Sequence, residues 1–161
     1  MTDWELVSKG LLGLFWIMEC NEAENKDKTI LDLYSSHFGE RWEGERLLNT
    51  GVLMMSSYLL FVYPQQADFN EIRFEEIDIS NFNIISEDND NSDKKRFCNR
   101  IRNSISHAKF QINNHTDIIN FKDSKRNDKD KIEFEINIVD FGEFINSFAL
   151  TAYKQMNLNE K

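Results

Sequence analysis

The sequence predicts a mainly α fold: a helical bundle with a small antiparallel β-hairpin or three-stranded sheet between a polar-faced central helix and the C-terminal helix. Three observations predict it. Apolar residues recur at spacings of three and four up to Val62 and again after Asp140, as one face of a helix requires. Ile132, Phe134, Ile136 and Ile138 alternate strictly with Glu133, Glu135 and Asn137, the two-residue period of a strand. A single proline and six glycines among 161 residues leave little to break either pattern, and a chain of this length suits one domain.

The elements follow in order. Thr2 and Glu5 form a capping box before a long first helix, whose stripe is Trp4, Val7, Leu11, Leu14, Phe15 and Met18, ending near Asn25. Thr29 to Phe38 reads as a shorter second helix, stopped by Gly39. A third runs from about Glu40 to Val62 and is closed by Pro64. Its stripe is Leu48, Val52, Met55, Leu59 and Val62, yet Met54, Tyr58 and Phe61 add apolar surface elsewhere. Such a helix is central or meets a partner. Ile72, Phe74, Ile77 and Ile79 alternate weakly, as a strand or a short helix would. Ser86 to Ser92 reads as an acidic loop, and Ser92 or Asp93 can cap the helix that follows.

That helix carries the most unusual pattern in the chain. Phe97, Cys98, Ile101, Ile105 and Ala108 make one apolar stripe, while Arg96, Arg100, Asn103 and His107 recur at four, three and four on the other side. Solubility needs only Lys and Glu. This face offers permanent charge, an amide and an imidazole that can take or give a proton. After His107 the period changes to strands: Phe110 and Ile112, a turn at Asn113 to Thr116, Ile118 to Lys122, a charged turn at Ser124 to Lys131, then the clear strand from Ile132. Asp140 and Glu143 open the last helix.

Composition excludes several classes. The net charge of −9 argues against a general nucleic-acid binder, because such affinity comes mostly from neutralising phosphates. The charge is uneven, however. Glu87, Asp88, Asp90 and Asp93 precede a basic cluster of Lys94, Lys95, Arg96, Arg100, Arg102 and Lys109, which can serve a small local site. Cys20 and Cys98 match no metal spacing and read as reduced core residues of a cytoplasmic protein. No basic leader precedes the apolar stretch at Leu11 to Cys20. The run from Val52 to Tyr63 falls short of the roughly 20 residues a bilayer needs, so no membrane partner is expected. His37 and His115 are isolated, which leaves no convincing metal-ligand set. Phosphate-binding glycine loops and nucleophile elbows do not occur.

Arg102-Asn103-Ser104-Ile105-Ser106-His107 resembles the R-N-x-x-x-H form of the R-x4-6-H motif of the HEPN superfamily, small helical proteins that include many metal-independent ribonucleases of toxin–antitoxin and phage-defence systems. The resemblance is firm over residues 94–110 and architectural elsewhere. It implies a HEPN-like bundle, no cofactor, and an endoribonuclease site shared between the protomers of a homodimer. In that site Arg102 would hold the scissile phosphate, His107 would move a proton and Asn103 would orient the imidazole or the ribose. RNA supplies its own nucleophile, the 2′-hydroxyl, so products would end in a 2′,3′-cyclic phosphate. Arg96, Arg100 and Lys109 are candidate RNA contacts, although Arg96 and Arg100 serve equally well as partners for the acidic loop. The implied substrate is tRNA or mRNA, and the implied protein partner a cognate antitoxin or defence component. Some HEPN toxins carry a tyrosine two residues after the motif histidine, where a nucleotidyltransferase acts; here that position is Lys109. The alternative is a non-catalytic HEPN-like module that dimerises or binds a partner or nucleotide, using the apolar third helix.

Overall fold

The structure is a computed structural model, and it describes residues 27–29, 32, 50–66, 72–113, 115–125 and 129–159. The chain divides into two compact units, Thr2–Met55 and Ser56–Lys161. The first helix, its capping box, most of the second helix and the start of the third lie outside the described residues, as do Cys20 and His37. At the predicted start of the second helix, Thr29 N donates to Asp32 Oδ2 at 3.1 Å and Asp32 N donates to Thr29 Oγ1 at 3.1 Å. Two donors that a helix start leaves open are thereby satisfied reciprocally.

Helix α1 (Thr50–Ser57) runs on through a widened turn, Tyr58–Val62, and a further helical turn, Tyr63–Gln66. The helix therefore does not stop before Pro64. Proline lacks the N–H that would continue the ladder, and the chain absorbs it by widening. Tyr63 N donates five residues back to Tyr58 O, and the Gln65 side chain donates to Phe61 O at 3.0 Å.

The weak alternation at residues 72–79 resolves as a 3₁₀ turn, Phe74–Glu76, between buried Ile72 and Ile77. A strand that the sequence did not announce follows, β1 (Asn83–Glu87). Every residue of β1 is exposed, so no apolar alternation marked it; its stabilisation is backbone pairing at a sheet edge. Then come α2 (Lys94–Ser106), β2 (Phe110–Asn113), β3 (Ile118–Lys125), β4 (Lys129–Asn137) and α3 (Ile138–Asn159). Ile138, predicted as the end of the strand, instead opens α3, where Asn137 Oδ1 accepts the Val139 N–H at 2.8 Å.

The strands form one antiparallel sheet in the order β1-β4-β3-β2. Among the described residues four strands replace the predicted two or three. Among the described residues helix still outweighs strand, so the mainly α expectation holds only in part. The order places α2 between the two edge strands in sequence. The chain must therefore cross three strand spacings, about 14 Å, which the roughly 20 Å of a 13-residue helix covers. So α2 lies under the sheet, and its apolar stripe meets the middle strands.

The core follows from that crossing. Phe97 of α2 packs on Phe134 of β4, with ring centroids 5.0 Å apart, and Phe134 stacks on Phe121 of β3 at 5.3 Å. Phe141, Phe144 and Phe148 of α3 complete the floor, with Phe61 4.6 Å from Phe148. Offset and edge-on pairs of this kind contribute roughly 0.5–1.5 kcal/mol each beyond their buried area. Cys98 is buried and free, and desolvation pushes its thiol up to about 12, which makes it a core side chain and no nucleophile at neutral pH. Among the described residues no helix is long and apolar enough to cross a membrane.

Candidate functional site

The site is built on α2. Asp93 is its N-cap, with Oδ1 accepting the Arg96 N–H at 2.6 Å. Lys94 Nζ donates to the Glu75 and Ile77 carbonyls at 3.0 and 2.6 Å, which ties the helix start to the 3₁₀ turn. Phe97, Cys98, Ile101 and Ile105 are buried as the stripe requires. Ser104 is also buried; its Oγ lies 2.9 Å from the carbonyl oxygens of Arg100 and Lys122. It fastens α2 to β3.

The helix ends through two backbone bonds. Ala108 N donates to Ile105 O at 3.1 Å and Lys109 N to Ser104 O at 2.8 Å. This is the Schellman pattern, and it needs a left-handed residue, a position that glycine usually takes. Ala108 occupies it with φ 51°. The sequence placed Ala108 in the apolar stripe; instead it is exposed, because the chain has already turned away from the helix. His107 is the C-cap and is exposed, its N–H held by Asn103 O at 3.0 Å. The turn thus leaves the imidazole at the rim, where α2 passes into β2.

The polar face divides in two. Arg100 is only 5% exposed. Its Nη1 pairs with Asp123 Oδ2 at 3.0 Å and its Nη2 with Asp130 Oδ2 at 2.6 Å. Asn91 Oδ1 of the acidic loop accepts from its Nε at 3.4 Å. The expectation that Arg100 touches RNA is therefore corrected: a buried guanidinium whose edges face carboxylates and an amide cannot meet a solvent phosphate. Arg96 also turns to the protein, pairing with Asp130 at 3.2 Å, with its side chain partly exposed. Both partners lie on the β3–β4 hairpin, a place the sequence could not connect to α2. Lys125 Nζ reaches Asp130 Oδ2 at 2.7 Å and Asn89 donates to its Oδ1 at 2.8 Å. The Lys125 and Asn89 bonds, with the Arg100 charge, hold the Asp130 carboxyl well below the usual carboxylate range.

The other half faces the rim. Arg102 Nη2 donates to Asn103 Oδ1 at 3.0 Å, and Asn103 Nδ2 donates to Asp123 Oδ2 at 3.4 Å. Arg102 and Asn103 are half-buried, His107 and Lys109 exposed. Arg102 and Asn103 are thus joined in a string whose far end is a carboxylate already neutralised by Arg100. Asp123 is the residue that sequence reasoning missed. It stands in the β3 stretch Ile118–Lys125 at a position where the buried pattern calls for an apolar side chain, and that departure was its one signal. His115 is exposed in the β2–β3 turn, away from this string in sequence and element.

A guanidinium oriented by an amide can pair with phosphate oxygens, and a rim imidazole can exchange protons with a bound ligand. No curated protein and no solved structure matches the chain. A family model described as HEPN pEK499 p136 matches residues 13–159, a span that includes α2, the sheet and all of α3. The chain belongs to the HEPN pEK499 p136 family.

Proposed function

We propose that this protein is a metal-independent endoribonuclease whose active site forms between two copies of the chain. The observation that carries the reading is the string Arg102–Asn103–Asp123, whose first two residues stand on the same helix that ends at the exposed His107. Fixed charge is oriented next to a group that can act as acid or base. In the reaction the 2′-oxygen loses its proton and attacks phosphorus, the bond to the 5′-oxygen breaks, and that oxygen takes up a proton. Arg102 stabilises the charge that develops on the phosphoryl oxygens. One histidine cannot be both base and acid in the same turnover. A two-fold dimer that brings the two rims together supplies a pair of each group. The substrate class is tRNA or mRNA, and the setting a toxin or phage-defence effector in the cytoplasm, held in check by a cognate protein.

The test is incubation of the full chain with total RNA in excess chelator. Cleavage that leaves 2′,3′-cyclic phosphate ends and is lost in His107→Ala supports the reading. Intact RNA with a folded dimer overturns it. A second reading has its own observation: Tyr58, Leu59, Leu60 and Tyr63 are 50%, 64%, 40% and 55% exposed, an apolar ridge on the widened turn. A non-catalytic module that dimerises or holds a partner through that ridge would lose association, and no cleavage, in Leu59→Glu.

A further inference from the structure

We propose that the outer face of the sheet, next to the end of α2, is a cleft for the single-stranded RNA that flanks the scissile phosphate. The inference rests on the nuclease reading for the identity of its ligand. The cleft holds about 540 Å³ and begins at Ala108 and Lys109, immediately after His107. Ligand pockets run from about 300 to 1,000 Å³, so this one is of nucleotide size. A strand whose phosphate meets His107 passes next over its lip.

The register explains what lines it. Gln111 pairs with Asn120, and Lys122 N donates to Lys109 O at 2.9 Å, so two amides and two lysines stand in neighbouring rows facing solvent. Lys131 joins them from β4. The chain carries a net charge of −9, and three lysines around one cleft are a local exception to it. The two carboxylates on its walls are already engaged. Glu133 accepts from Asn120 at 3.1 Å and pairs with Lys122 at 3.2 Å, while Asp123 is held by Arg100. Phe110 also borders the cleft through its place in β2, but its ring is half-buried on the inner face, 6.2 Å from its register partner Phe121.

These groups match the parts of an unpaired nucleotide. Ammonium groups take phosphates, and primary amides read base edges with one donor and one acceptor side. A free mononucleotide shares the chemistry, and the test separates it from a strand.

The experiment uses the full chain and a fluorescein-labelled ten-nucleotide 2′-O-methyl RNA of mixed sequence, which cannot be cleaved because its 2′-oxygen is blocked. Binding is followed by anisotropy over a salt series for wild type, Lys109→Gln, Lys122→Gln, Gln111→Ala and the remote Lys154→Gln. The lysine variants are expected to weaken binding at least about fivefold and to flatten the salt slope by about one phosphate contact each, with Lys154→Gln unchanged. Affinities and slopes equal to wild type in all three cleft variants overturn the cleft. Equal competition by uridine monophosphate and by the ten-mer overturns the strand and leaves a nucleotide site in its place. Binding is read without cleavage. An inert wild type that still binds through Lys109 and Lys122 therefore overturns the nuclease alone, and cleavage indifferent to both lysines overturns the cleft alone.

Discussion

Arg100 Nη1 and Asp123 Oδ2 lie 3.0 Å apart, with side chains only 6% and 4% exposed, and the same carboxylate oxygen accepts Asn103 Nδ2 at 3.4 Å. The candidate site thus stands on a buried ion pair. An arginine inside α2 neutralises the carboxylate that orients the motif amide one turn later. Removing one partner of such a pair strands the other charge in the interior. Arg100→Ala is expected to lower stability by about 3–5 kcal/mol, read as the midpoint of urea denaturation. Asp123→Asn keeps an oxygen for Asn103 but loses the charge. It is expected to lower kcat for RNA cleavage more than it changes KM.

Acid should loosen the same region through Asp130. Its carboxyl is depressed by Lys125, Asn89 and Arg100, so its contribution is complete above the ordinary carboxylate value of about 3.9 and is lost as pH falls below it. The loss of stability between pH 6 and pH 3 should be smaller in Asp130→Asn than in wild type. Asparagine tolerates the left-handed backbone found there, φ 55°, so the comparison isolates the charge.

The start of α2 depends on one carboxylate. Asp93→Ala removes the acceptor of the Arg96 N–H and is expected to cost about 0.5–2 kcal/mol. Thermal unfolding of the variant checks it. Ser92→Ala should change little, since Ser92 only bonds back to Asp90.

The end of α2 depends on Ala108. A β-branched side chain at φ 51° is strained, and Ala108→Val is expected to destabilise by roughly 1–2 kcal/mol, whereas Ala108→Gly relieves the position. Because this turn sets His107 at the rim, cleavage should fall in Ala108→Val and persist in Ala108→Gly.

Periodicity made α2, β3, β4 and α3 legible, because each buries one face and repeats at a fixed interval. Asp93 was readable as a cap for the same reason: it stands just before a helical stripe. The edge strand β1 was not, since Asn83–Glu87 is exposed throughout and owes its conformation to β4, far away in sequence. The Pro64 boundary failed because a widened turn can carry a proline that an ordinary helix cannot. At the site, Arg102, Asn103 and His107 were visible as a motif on one helix. The fate of Arg100 was not visible. Nothing local distinguishes an arginine that meets phosphate from one that meets two carboxylates on a hairpin 23 and 30 positions later.

The most direct measurement is end-mapping of total RNA incubated with the full chain in excess chelator, run beside Arg102→Ala and His107→Ala. Cyclic-phosphate ends at discrete positions with wild type, absent with both variants, are the expected result. RNA left whole by a folded, dimeric wild type, or cut equally by all three proteins, would contradict a site built on Arg102 and His107.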